Sequence, residues 1–378
     1  MAITKIEVPE LFDFGSDNSA FKLPTGTTAE RPTSPSNGEM RFNTTTGYVE
    51  YYDTTDAQWW EIDYAPGFAS KNFNTVLYTG NGSTQAVTGT GFTPDLIWTK
   101  NRSSTQNNYL FDSVRGDLKA IYSDLTDAQF SSSNYISFDS DGFTTGSTQN
   151  QNNNNYVAWC WKAGGAAVSN TDGTITSQVS ANTAAGFSII SYTGASGTVG
   201  HGLDSTPEII IQKKTSGAED WYVYFPPGVI DATTNYYYMV LNTSSTAIGT
   251  TGSTAPTTTT FNPVSTSGNY IAYAFHSIAG YSKIGTYTGT SVANHSIVTG
   301  FKPAWVMIKN TNSGYSWIIT DDKRTTDKIL YANLSEYENT TSNGITSFDS
   351  NGFTLGTAVS FNNNTQVYVY MAFAADPT

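Results

Sequence analysis

At 378 residues the chain has room for several domains, and its charged fraction of 13% is about half the ~25% of an average soluble domain. Aromatics make up 14%, which argues against disorder, and a formal net charge of −13 without any basic patch argues against nucleic acid as a partner. No apolar run approaches the ~20 residues of a membrane span, and a single cysteine, Cys160, excludes an internal disulfide framework. Thr, Tyr, Phe and Trp favour strands, and Gly, Asn and Asp favour turns, so the expected class is all-β.

In chain order, residues 1–30 carry scattered apolar residues that can pack only on something else, and they read as a docking segment. The opening lacks the apolar core of a signal peptide. Residues 24–38, PTGTTAERPTSPSNG, read as an extended or turned linker. Residues 31–67 form a small β module: Met40 and Phe42 alternate, a turn follows, then Tyr48, Glu50 and Tyr52 share one face, and a further turn precedes Trp59, Trp60 and Ile62. Two hairpins of this size are not stable alone in water. Tyr51, Trp59 and Trp60 are therefore the candidate oligomer interface.

The rest of the chain repeats itself three times. Phe92 to Asn101, FTPDLIWTKN, matches Phe301 to Asn310, FKPAWVMIKN, and FDSDGFTTG from Phe138 matches FDSNGFTLG from Phe348. Between these, Asp112, Arg115 and Tyr122 match Asp321, Arg324 and Tyr331. Tyr-Thr-Gly begins at Tyr78, Tyr192 and Tyr287, and each copy closes on an aromatic strand: YVAWCW, YIAYAF and VYVYMAF. The spacing of the Tyr-Thr-Gly signposts exceeds the ~20–50 residues of a solenoid unit. The expectation is three tandem β-sandwiches of jelly-roll or lectin-like type over 68–165, 166–279 and 280–378, arranged as beads with a core each. In the closing strand of the first copy Val157, Trp159 and Trp161 share one face, and Tyr156, Ala158 and Cys160 the other. Both faces are apolar, so the strand is central and covered on both sides. Trp161, Phe275 and Phe373 are expected core anchors. Cys160 stands where the other copies have Ala274 and Ala372 and reads as a small buried residue. Ser123 to Phe130 is expected to make a helical turn, and 164–185 to add an edge strand to the second copy.

Chemistry-bearing motifs are sparse. His201, His276 and His295 lack metal-ligand spacing and have no nucleophile motif beside them. Asp139-Ser140-Asp141-Gly142 resembles the start of a calcium loop but lacks its further ligands, and a hairpin turn explains it better. Asp112 and Asp321 recur, but the second copy has Phe225 there, so a structural role with Arg115 and Arg324 is favoured over paired acids of a glycosidase. No cofactor is expected. Trp221, Tyr236, Tyr237 and Trp317 are the candidate glycan contacts, stacking on sugar rings, although most aromatics must fill cores.

The stretch RPTSPSNGEMRFNTTTGYVEYYDTTDAQWWEI, residues 31–62, resembles the short β module near the N-terminus of tailed-bacteriophage fibre proteins. GFTPDLIWTKNR, FDSVRG, SFDSDGFTTG and NNNNYVAWCWKAGG, with NTDGTITSQVSANTAAGFSIISYTG at 170–194, resemble a repeat of fibre and other structural proteins of marine phages. The resemblance implies a non-enzymatic virion component made in bacterial host cytoplasm. It implies a partner among other virion proteins at the N-terminus, a homo-trimer, and a host cell-surface glycan as ligand. The rivals are a capsid or tail decoration protein, a polysaccharide depolymerase and a secreted adhesin. A groove lined by exposed aromatics would favour the fibre reading, smooth polar loops decoration, and a cleft of converging acids the depolymerase.

Overall fold

The computed structural model describes residues 23–45, 48–55, 57–62, 68–131, 136–225, 236–250 and 255–374. Most of the expected docking segment lies outside them. The chain divides into two compact units, 1–68 and 69–378.

The first unit is a four-stranded sheet in chain order: Thr25–Gly26, Met40–Asn43, Tyr48–Asp53 and Gln58–Ile62. Thr25–Gly26 runs parallel to Met40–Asn43, so the expected linker in fact supplies a strand. The alternation that puts Glu50 on one face buries it completely. Arg31 Nε donates to both Glu50 oxygens at 3.1 and 3.2 Å, Asn43 Nδ2 donates at 3.0 Å, and Arg41 Nε lies 3.4 Å away. Burial alone would raise the Glu50 pKa, but these hydrogen bonds and the two arginine charges hold it below the ordinary range. Tyr51 and Trp59 are half-buried, Trp59 lying 5.5 Å from Tyr52. Tyr51 is the strand partner of Trp60, whose side chain is outside the described set.

The second unit holds the three copies, all β as expected. In the first copy the large sheet runs Phe130–Ser131, Lys119–Tyr122, Tyr109–Asp112, Leu96–Asn101, Asn155–Trp161, Phe73–Thr79. The third copy has the same order, from Asn339–Thr340 through Lys328–Tyr331, Ile318–Asp321, Pro303–Asn310 and Val367–Ala374 to Ser282–Thr288. So has the second, from Ile248–Thr250 through Tyr236–Val240, Tyr222–Phe225, Ile209–Lys214 and Asn269–Phe275 to Phe187–Thr193. It then adds two edge strands, Ser177–Asn182 and Val168–Asn170, where one was expected. A small second sheet completes each sandwich. In the first copy it contains the hairpin Ile136–Asp139 and Gly142–Thr145, whose Asp139 pairs with Gly142. The turn reading of Asp-Ser-Asp-Gly thus holds: a Cβ on Gly142 would lie 1.9 Å from the Val87 carbonyl oxygen.

The Tyr-Thr-Gly signpost has a physical cause. Each tyrosine stacks on the first tyrosine of its closing strand: Tyr78 on Tyr156, Tyr192 on Tyr270 and Tyr287 on Tyr368, with ring centroids 5.0, 5.4 and 4.9 Å apart. The glycine that follows lets a neighbouring loop approach. A Cβ on Gly80 or Gly289 would meet a carbonyl oxygen at 2.1 Å, and one on Gly194 at 2.5 Å.

Within the first copy the core between its sheets takes Tyr156, Ala158 and Cys160, as the strand phase requires. Trp159 and Trp161 face the other way, into the other copies. Trp161 lies 5.5 Å from Trp305 and 5.7 Å from Phe373, Phe73 lies 5.4 Å from Phe373, and Phe275 lies 5.8 Å from Phe373. Trp98, Trp161, Ile211, Phe275, Trp305 and Met371, two from each copy, surround a void of only about 20 Å³. The copies are therefore not beads. Each keeps its own sandwich core, and all three share a second core. The expected helical turn at Ser123 to Phe130 is also replaced, by a turn, an irregular stretch and a short strand. Ser123 Oγ there donates to the Ala332 carbonyl of the third copy at 2.6 Å.

Two outcomes follow for unfolding. Residues 69–378 should melt in one calorimetric transition, because loss of any copy exposes the shared core, and three separable transitions would contradict this. Trp161→Ala should cost about 3–5 kcal/mol in urea titration. Cys160→Ala should cost less than about 1.5 kcal/mol, since the equivalent site is alanine twice.

Candidate functional site

The buried lysines and the Asp–Arg pairs of the second unit lie where one copy meets the next. Lys100, Lys213 and Lys309 are the penultimate residues of equivalent strands, and all three are buried. Lys100 Nζ donates to the Gln106 carbonyl at 2.8 Å and, in the third copy, to the Leu334 carbonyl at 2.9 Å. Lys213 Nζ donates to Glu219 O and, in the first copy, to Thr126 O, both at 2.8 Å. Lys309 Nζ donates to Asn310 O at 2.7 Å and, in the second copy, to Ser244 O at 3.3 Å. First to third, second to first, third to second: the donations close a ring. Burial pushes each ammonium down to about 8 from its ordinary 10.5.

A parallel ring stands beside it. Asn108 Nδ2 donates to Tyr331 O at 3.0 Å, Trp221 Nε1 to Tyr122 O at 2.7 Å, and Trp317 Nε1 to Val240 O at 3.0 Å. Trp221 and Trp317 are 0% and 1% exposed, so the expectation that they stack on a glycan is corrected: they are dowels between copies. Tyr236 and Tyr237 lie in a strand, but their side chains are outside the described set.

Asp112 and Asp321 are fully buried and paired with Arg115 and Arg324, as the residue pattern suggested. Each also accepts a hydrogen bond from the next copy, which sequence reasoning missed. Tyr273 Oη donates to Asp112 at 2.8 Å, and Trp159 Nε1 to Asp321 at 2.9 Å. Where the second copy has Phe225, the third has Met371 in the donor position, so neither has a polar group to leave unpaired. The missed signal was legible in part: lysine recurs at the penultimate position of three strands whose first residues are apolar.

The histidines do not converge on chemistry. His201 is buried with Nε2 3.2 Å from Thr257 O, and Leu203 N–H donates to its Nδ1, with burial lowering its pKa. His276 lies 3.4 Å from Asp204, and His295 Nδ1 3.0 Å from Asn362. Cys160 is free and buried, its thiol pKa driven far up by burial. Among the described residues no three His, Cys, Asp or Glu gather as for a metal, and no helix is long and apolar enough to cross a membrane.

Two surface hollows stand out among the described residues. One, about 450 Å³, lies over Asp95, Lys162 and Asn182, but Asp95 accepts from Ala163 N and Ser113 Oγ, and Asn182 donates to Asn72. The other, about 320 Å³, lies between the first and second copies and is lined mostly by hydroxyl and amide side chains, with Arg115 and Lys119 on the first copy's side. Its aromatic, Tyr192, is buried, so it is not a groove of exposed aromatics.

Fold and site together define a domain of three β-sandwiches closed into a ring by its own buried donors. Residues 68–377, nearly all of this unit, match the family described as Domain of unknown function (DUF7483), and the chain belongs to that family. No curated protein and no solved structure matches it.

Two measurements test the ring. Tyr273→Phe should cost about 1.5–3 kcal/mol by removing a hydrogen bond to a buried charge, whereas Met371→Leu should cost under about 1.5. Between about pH 8 and 10 the unfolded chain holds protons on these lysines that the folded chain has released. Stability in urea should therefore rise with pH between about 8 and 9, below the range in which the unfolded chain's tyrosines ionise; above it the buried tyrosines, whose pKa values burial raises, oppose the rise. Lys309→Met should flatten the rise.

Proposed function

We propose that the chain is a non-enzymatic virion structural protein of the fibre type. Its N-terminal segment attaches to other virion proteins, and its three-copy unit is a rigid body that meets a host-surface glycan. One observation carries the non-enzymatic part: Asp112 and Asp321, the three buried lysines and the indoles of Trp159, Trp221 and Trp317 are committed to joining copies. Asp112, for example, is engaged by Arg115 and Tyr273. The likeness of 31–62 and 92–165 to phage fibre and virion proteins supports the setting, including synthesis in bacterial cytoplasm.

The decoration reading gains from the burial of Trp221 and Trp317, which removes two of the aromatics on which a sugar would stack. It differs in one measurable respect, since a decoration protein needs no affinity for cells. Labelled full chain should bind the surface of host cells, and an antibody to it should label purified particles. Particles free of the chain would overturn the virion reading, and labelled particles with no cell binding would favour decoration.

The homo-trimer is proposed through the first unit. Tyr51 and Trp59 are only half-buried there, while the second unit closes a threefold ring within one chain. Light scattering should give three times the 40.8 kDa chain mass for the full chain, and a monomer after deletion of residues 1–68. A monomeric full chain, or a trimeric truncation, would contradict this placement.

A further inference from the structure

The trough between the first and second copies exists because the second copy is built differently at one edge. Its first strand, Phe187–Thr193, is a sheet edge in the other copies, but here Ser177–Asn182 pairs alongside it. Along the face turned to the first copy the residues change in character. Phe187 and Ile189 are buried, whereas Ser191 and Thr193, further along, are not. Gln178 is the strand partner of Ser191, and Asn269 that of Thr193. The floor is therefore a grid of hydroxyl and amide groups on three hydrogen-bonded strands. The first copy supplies the wall with Arg115, Lys119 and Gln129. Wall and floor are pinned together by Gln129 N–H donating to Thr215 O at 3.1 Å.

The side chains sort into two sets. Arg115 is spent on Asp112, Thr193 Oγ1 donates to Asn269 at 3.0 Å, and Thr215 Oγ1 donates to the Asn269 carbonyl. Those of Thr176, Gln178, Ser191 and Lys119 spend no hydrogen bond or ion pair within the protein, among the described residues. A row of unspent donors and acceptors near a sheet edge, beside an ammonium, is the complement of a polyhydroxylated chain. The volume of about 320 Å³ falls at the lower end of small-ligand sites. The net charge of −13 opposes a polyanion, so the ammonium is assigned to a sugar hydroxyl. At the position of Ser191 the other copies have the aliphatic Leu77 and the isolated Thr286, and neither has a second strand beside it. The site is single, not threefold.

We infer that this trough binds a neutral oligosaccharide, with Thr176, Gln178, Ser191 and Lys119 as its contacts. The inference rests on the proposed glycan-binding role and gives it a location.

The test titrates the full chain calorimetrically with neutral hexasaccharides of glucose and of N-acetylglucosamine in several linkages. One of them should bind with one site per chain and keep its affinity in 0.5 M salt, on the order of several times physiological ionic strength. Thr176→Ala with Gln178→Ala, at exposed positions, should weaken it by about tenfold or more, as should Lys119→Gln. Thr286→Ala should change nothing. No binding by any hexasaccharide, or binding indifferent to the trough variants, overturns the inference, and so does binding abolished by salt. Cell binding that survives Thr176→Ala with Gln178→Ala overturns the trough while leaving the attachment role standing. Sugar binding without cell binding overturns the attachment role alone.

Discussion

The constraint on which the second unit depends is that the closing strand of each copy is apolar on both faces. A sandwich of two sheets covers one face. Tyr156, Ala158 and Cys160 are covered that way, but Trp159 and Trp161 point out of the sandwich and would leave large apolar area in water. Fully burying such side chains is worth about 1.5–3 kcal/mol each. A comparable apolar surface is the same face of the other two copies, and Trp159 and Trp161 meet Trp305 and Phe373 there. Three faces meeting around one axis satisfy one another, and the ring follows from that need.

Closing the ring creates a second problem, because backbone at the seams loses water. Loop carbonyls such as Leu334 O, Thr126 O and Ser244 O lie at the seams and accept from buried lysines. A lysine suits the task because its stem covers apolar surface while its head offers three donors. The cost is desolvation of the ammonium, visible in the fall of all three pKa values to about 8. Indoles and an asparagine do the same work at the parallel ring without any charge to desolvate.

Much of this was legible in the residues. Copy number, strand order equivalence, the two faces of the closing strand and the Asp–Arg pairs all follow from repeats and a two-residue period. The arrangement as beads did not survive, for a specific reason. The double apolarity of YVAWCW shows that something covers the outer face but not what, and the covering residues, Trp305 and Phe373, lie more than a hundred positions away. Trp221 and Trp317 misled for the same reason. Each follows a run of mostly polar residues just before its strand, and its indole N–H is taken up by a carbonyl of another copy. The trough was illegible because its two walls come from different copies, and only the added edge strand of the second makes it.

The seams also explain why the second copy diverges where it does. A buried carboxylate is tolerated only with donors around it. Asp112 has Arg115 and Tyr273, and Asp321 has Arg324 and Trp159, so each acid requires a polar residue on the closing strand of a different copy. At the remaining seam the acid position is Phe225 and the donor position is Met371. Changing the acid alone would strand a donor, and changing the donor alone would strand an acid, so the two positions are coupled across the seam. A homotrimer of one repeated chain must use the same pair at all three seams. A single chain with three copies is free to make one seam different, and the same freedom allows the extra strands that open a trough at one seam only. The asymmetry of the ring is thus a consequence of covalent linkage, and it is what gives a threefold body one distinguishable side.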